Sequence, residues 1–229
     1  MKRRTLVFAV ALAACLLAGC LSENAKETPE SGLREVPAAI LDIATAQSFT
    51  EEAVSAEDAE TILLAGINAP SAMNGQPWHF TAVTDGEVLR QIAEDMSAGM
   101  SGRFPAGGGS NAGMPGTPSG GGGAKAGIAD APLAIVVSCR DGSELDAGLA
   151  CQTMSVAAIL MGYGTKIVTS PTIALNGANQ ERYRELLGMP EDYAAAAVLL
   201  VGHVADVGDA ATSATPRNSM NKIVSWLTP

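Results

Sequence analysis

Aromatic residues make up only 4% of the 229-residue chain. A core built from this sequence must therefore rest on Ala, Leu, Val, Ile and Met. Histidine occurs twice, as His79 and His203. The two are far apart and lack metal-ligand spacing, so no metal site is expected. No Ser-His-Asp order suggests a hydrolase. Basic side chains are outnumbered 14 to 24, and the formal net charge is −10. Nonspecific nucleic-acid binding needs a basic face, which this balance argues against. The apolar run at residues 6–17 is too short for a comfortable membrane span. No internal repeat is visible.

What the chain does contain is 47% hydrophobic residues, which excludes general disorder, and enough length for one domain with a sizeable core. Residues 1–19 read as an export signal, with Lys2, Arg3 and Arg4 ahead of the apolar run. Leu17-Ala18-Gly19-Cys20 has the order of a lipobox, which makes Cys20 the expected lipidation site. The expected location is extracytoplasmic, in the cell envelope, with the lipid anchor in a membrane. A twin-arginine reading of Arg3-Arg4 fits poorly with Thr5-Leu6-Val7 behind it. Residues 20–37 are polar and interrupted by Pro29 and Gly32, which predicts a flexible tether. The domain proper is expected over 38–229.

Within it, residues 38–46 suggest a short helix. Ser55 followed by Glu57 and Asp58 is a helix start, and Pro70 stops that helix. Residues 79–83 alternate as a strand, and residues 87–100 suggest a second helix. Residues 105–127 hold two glycine runs and three prolines, which predicts either a disordered insertion or a functional lid. The continuous apolar run 133–139 fits a buried strand. Residues 146–161 form the longest helical pattern, apolar nearly all round and therefore expected to be buried or to meet another subunit. Short strands follow near 166–169 and 195–204, with an exposed helix at 180–187 between them. Residues 223–227 are too apolar to hang in solvent. Two cysteines remain after the signal, Cys139 and Cys151. They either bridge or stay as buried thiols, the commoner outcome for such settings.

The most informative stretch is Ala69-Pro70-Ser71-Ala72-Met73-Asn74-Gly75-Gln76-Pro77-Trp78-His79-Phe80. Pro70 and Pro77 restrict the backbone on either side, giving a rigid connector between helix and strand. Ser71, Asn74 and Gln76 place short donors and acceptors on it, suited to holding a planar polar ligand by its edge. Trp78 and Phe80 are expected to pack in the core. This stretch resembles the A-P-S-x-x-N-x-Q-P-W-x-F segment of the nitroreductase family of flavin enzymes. Asp146-Ala147-Gly148-Leu149-Ala150-Cys151-Gln152-Thr153-Met154 resembles the family's D-x-G-x-A-x-Q-N segment, with Thr153 where the family has asparagine, and Gly162-Tyr163-Gly164-Thr165 resembles the turn after it. The resemblance covers about Phe49 to Arg217.

It implies an α+β fold with a mixed, largely antiparallel sheet flanked by helices, a homodimer, and FMN at the dimer interface. By the same resemblance Asn74 contacts the polar edge of the flavin, and Pro70, Ser71 and Ala72 line the pocket. The acceptor would be a nitro compound, a quinone or a similar small molecule, while substrate, electron donor and catalytic residues stay unnamed. The family's N-terminal arginines, which bind the FMN phosphate, are absent from Ile43-Ala44-Thr45-Ala46-Gln47-Ser48. Arg217 matches a basic position near the family's C-terminus and is the expected phosphate partner; Lys125 and Lys166 are candidates without motif support. FMN, riboflavin or no cofactor are all compatible with that loss. The rival to an enzyme is a non-catalytic lipoprotein that keeps the fold as a binding or assembly module.

Overall fold

The computed structural model of the chain describes residues 40, 43–103, 127–205 and 217–227. The described residues belong to the compact unit Val36–Pro229. The expected signal with Cys20, the tether, Lys125 and the glycine-rich stretch up to residue 126 lie outside the described residues.

Four strands form one sheet in the order β1-β2-β4-β3, with β1 at Trp78–Val83, β2 at Leu133–Arg140, β3 at Gly164–Val168 and β4 at Tyr193–Gly202. All pairings among them are antiparallel, with Trp78 opposite Cys139, Arg140 opposite Tyr193 and Gly164 opposite Gly202. A register shift between Val137 and Ser138 marks an irregularity in the central ladder. An isolated antiparallel bridge joins Phe49 to Val204 just past β4. The central pair is buried on both faces, which is why residues 133–139 read as an unbroken apolar run rather than an alternation.

Helices cover the two faces. Helices α1 (Ala56–Ile67) and α3 (Glu144–Leu160) pack over Leu133, Ile135, Val137, Leu199 and Val201. Helices α2 (Gly86–Arg103), α4 (Thr172–Leu175) and α5 (Gln180–Leu187) cover Ala134, Val136, Val198 and Leu200. Each boundary has a local cause. Ser55 Oγ accepts the Asp58 N–H at 3.1 Å, satisfying one of the free donors at the start of α1. Asn68 closes α1 by donating from its side chain to Leu64 O at 2.7 Å. Gly188 ends α5 with φ 62°, a left-handed conformation that costs glycine little. A last short helix, α6, spans Met220–Ile223.

Several sequence expectations change. Residues 43–46 are not helical, because the Ala46 N–H is used by Thr165 O at 2.9 Å, which lays the segment beside β3. Helix α3 has 17 residues and α2 has 18, so α3 is not the longest. Nor is α3 buried all round: Leu145 is 76% exposed and Leu160 58%, since this protomer offers no layer on that side. Helix α5 is amphipathic rather than exposed, with Tyr183 and Leu187 in the core. The apolar tail lies at the surface, with Trp226 77% exposed. Cys139 and Cys151, by contrast, are buried free thiols, the commoner of the two expected outcomes. Trp78 and Phe80 are half-buried and stack with ring centroids 6.1 Å apart, and Phe80 packs against the core as expected.

Gly66 brings α1 close to α3. A Cβ there would sit 2.6 Å from Met154 Cγ, and Met154 is fully buried. Gly66→Val is expected to lower stability by about 1–3 kcal/mol through overpacking. Met154→Ala, expected to cost about 2–5 kcal/mol alone, should cost less in that background because it vacates the space the valine needs. Urea unfolding of the two single variants and the double variant measures the coupling.

Helix α5 is tied to α2 by Tyr183, whose hydroxyl donates to Asp95 Oδ2 at 2.6 Å, and by Asn179 Nδ2 at 3.0 Å from the same oxygen. The Tyr183 bond, then that of Asn179, holds the Asp95 carboxyl below its ordinary range. Burial, then the Asp95 bond, pushes the Tyr183 hydroxyl up. A depressed carboxyl contributes stability that is present above its unfolded pKa of about 3.9 and is lost as pH falls through the lower folded value. A raised tyrosine contributes stability that is present below about pH 10 and is lost as pH rises through its higher folded value. Tyr183→Phe should therefore flatten both the acid and the alkaline limbs of the melting temperature measured against pH.

Candidate active site

The connector between α1 and β1 keeps its backbone in an unusual conformation. Met73, Asn74 and Gln76 have φ of 51°, 54° and 46°, in the left-handed region that non-glycine residues avoid. Such residues cost on the order of 1 kcal/mol or more each and persist only where surrounding contacts over-determine them. Asparagine is among the more tolerant. The contacts are specific. Ser71 caps the short 3₁₀ turn Ala72–Asn74, and its Oγ accepts the Gln76 N–H at 3.0 Å. Ser71 O accepts the Asn74 N–H at 3.0 Å, and Ala72 O accepts the Gly75 N–H at 2.9 Å. Asp146, in the first turn of α3, accepts the Ala72 N–H on Oδ1 at 3.1 Å. Pro77 is buried, and its carbonyl accepts the Arg140 N–H at 3.2 Å where β2 ends.

The result is a stiff, solvent-facing ledge. Pro70, Ala72 and Asn74 are exposed and Ser71 is half-exposed, so four of the five expected site residues lie together. Among the described residues no hydrogen bond occupies the Asn74 side-chain amide, which leaves both its donors and its acceptor for a ligand. The Met73 side chain stands fully in solvent beside it.

Arg217, the fifth, is elsewhere. Its guanidinium donates to Ile43 O at 3.3 Å, at the start of the segment that lacks arginines. That segment runs beside β3 and the end of β4, with the Thr50 N–H donating to His203 O at 2.8 Å. Ser48 Oγ is buried there without a hydrogen-bond partner. A buried orphan hydroxyl is uncommon and marks a place where a polar group can still be accepted. A guanidinium is the donor type that suits a phosphate, and the Arg217 guanidinium is the charged group bonded to this segment. The two groups sit at opposite ends of the sheet. The ledge adjoins Trp78 and Arg140, whereas Arg217 bonds Ile43 on the segment whose Phe49 bridges Val204, just past the Gly164–Gly202 pair. A ten-residue strand such as β4 separates those ends by about 30 Å.

Neither described cavity contains an expected site residue. The larger, about 370 Å³, is lined by Cys139, Asp141, Gln180, Arg184 and Tyr193 among others. The smaller, about 200 Å³, lies behind Ala44 and Ala46 against Tyr163. Both thiols are poor nucleophiles at neutral pH. Burial, with the Glu144, Asp141 and Asp146 carboxylates, raises Cys139 to about 11, and burial raises Cys151 to about 12. Lys166 lies in β3, half-buried. No group of three or more metal-ligating side chains occurs among the described residues.

The sequence profile of the nitroreductase family matches residues 44–203. The chain belongs to the nitroreductase family. A protein of Archaeoglobus fulgidus, provisionally named an NADH dehydrogenase/NAD(P)H nitroreductase, is 28% identical over 170 residues, covering 70% of this chain and 80% of the relative. The fold is shared with a nitroreductase with bound FMN from Bacteroides fragilis, at a TM-score of 0.68 and 20% identity, over 86% of this chain and 100% of that one. A nitroreductase with bound FMN from Desulfitobacterium hafniense superposes with a TM-score of 0.64 at 24% identity, over 83% of this chain and 96% of that one.

For this nitroreductase-family chain, the motif residues were legible in sequence, and two site features were not. Asp146 is 74 residues from Ala72, and nothing in its own motif points to the connector. Of the three left-handed residues only Asn74 carries a sequence mark, since asparagine tolerates that conformation and none of the three is glycine.

Proposed function

We propose that the protein is an FMN-dependent oxidoreductase of nitroreductase type that reduces nitro compounds, quinones or similar small acceptors. The observation that carries this reading is the stiff ledge with the unengaged Asn74 amide, set in a fold shared with two FMN-bound nitroreductases. When bound, FMN supplies the two-electron redox chemistry. The chain supplies binding and orientation. The Asn74 amide bonds the polar edge of the flavin ring, while Pro70, Ser71 and Ala72 form the wall beside it. Arg217 takes the phosphate, in place of the arginines that residues 43–48 lack.

The working unit in this reading is a homodimer. One flavin cannot reach both ends of the sheet in one protomer, so the ledge of one copy must meet the Arg217 region of another. Two surfaces support that pairing: the exposed Leu145, Leu149 and Leu160 of α3, and the exposed Ile223, Trp226 and Leu227 of the tail. Cys20, in its lipobox order, anchors the dimer to a membrane from the extracytoplasmic side. There the electron donor would be a membrane carrier or a partner protein, because no nicotinamide pool is maintained outside the cytoplasm. A second reading, a non-catalytic lipoprotein that keeps the fold as a binding or assembly module, is favoured by the missing arginines.

Absorbance and titration separate the two. Protein purified with absorbance near 450 nm, about the value of any oxidised flavin, supports the enzyme. Protein that stays colourless and takes up neither FMN nor riboflavin supports the binding module. Arg217→Ala is expected to weaken FMN by about 1.5–3 kcal/mol, the scale of a charged hydrogen bond, and to leave riboflavin nearly unchanged. Asn74→Ala should weaken both flavins alike, because it acts on the ring and not on the phosphate. Sedimentation of a soluble form starting at residue 38 should give a dimer; a monomer that still binds FMN tightly would overturn the shared-site reading.

A further inference from the structure

We propose that Asp146 is a positioning residue for Asn74, holding the strained ledge in its ligand-ready shape from the first turn of α3. The inference rests on the flavin reading of the ledge. Residues 71–76 are stabilised mostly from within, by Ser71 Oγ and by the turn carbonyls of Ser71 and Ala72. Among the described residues, the one hydrogen bond from 71–76 to the rest of the fold is Ala72 N–H to Asp146 Oδ1 at 3.1 Å. It crosses 74 positions of sequence and ends on a 17-residue helix packed against the sheet. Internal bonds define the shape of the connector, but they cannot fix where that shape sits. The Pro77 carbonyl fixes the far end on the Arg140 N–H, and the Asp146 bond fixes the near end, on the residue two positions before Asn74. Three left-handed backbones in four residues would otherwise relax toward ordinary conformations and carry the Asn74 amide with them.

The bond needs an acceptor oxygen at the end of a short side chain. Asparagine retains one, and alanine does not. Flavin affinity is therefore expected to fall about ten- to a hundredfold in Asp146→Ala, the range of a lost hydrogen bond to a charged group. FMN and riboflavin should fall equally, since the phosphate is not involved. Asp146→Asn should recover most of the loss. Independently of any flavin, amide hydrogen exchange at Ala72 in the flavin-free protein should speed up in Asp146→Ala and return toward wild type in Asp146→Asn, with melting temperatures within a few degrees throughout. Three results would overturn the proposal: unchanged exchange and affinity in Asp146→Ala, faster exchange with unchanged flavin affinity, or an asparagine variant as impaired as the alanine one. If wild-type protein takes up neither flavin, the enzyme reading fails on its own, and the Ala72 exchange still decides whether Asp146 holds the ledge.

Discussion

The antiparallel pairing of β2 with β4 is the contact on which the rest of the molecule depends. Both strands are buried across both faces over most of their length, so every backbone N–H and C=O there must find its partner in the ladder. With few aromatics available, the core beside this ladder is made of Val, Leu, Ile, Ala and Met, filled out by single large side chains such as Tyr183. The two helical layers are held to opposite faces of this pair, and each end of the sheet inherits its position from it. The candidate site depends on that inheritance, because its two halves are attached at the two ends.

At one end, β1 begins directly after Pro77, and the ledge is pinned between the Arg140 amide and the Asp146 carboxylate. At the other, residues 43–50 run beside the end of β4 and receive Arg217. Rigid strands keep these groups apart within one protomer. In the proposed homodimer, the exposed leucines of α3 and the apolar tail are the surfaces that a second copy would cover. Of the two cavities described, the larger is lined by neither the ledge nor Arg217, while the smaller is lined by Ala44, Ala46, Gly164 and Val204, on the Arg217 side of the sheet.

Local chemistry made much of the fold readable in advance. The Ser55 cap, the Pro70 stop, the unbroken 133–139 run and the amphipathic period of α2 each act over a few residues, and each appears where expected. The misreadings share one cause. Residues 43–46 gave up a helix for a bond to Thr165, and α3 left apolar residues in solvent because burial depends on what lies opposite. Neither neighbour is visible from the segment itself.

The sequence by itself determined the family, the sheet's central strand, and which side chains, Ser71, Asn74 and Arg217, were proposed to meet a flavin. These follow from residue type and spacing along the chain. Only the tertiary structure decided that the Ser48 hydroxyl is buried without a partner, that Met73, Asn74 and Gln76 adopt left-handed backbones, and that Asp146 reaches back to Ala72. Each of these depends on groups brought together across many residues by the β2–β4 ladder. Strain and orphaned polarity are relations between such groups, and no residue carries them alone.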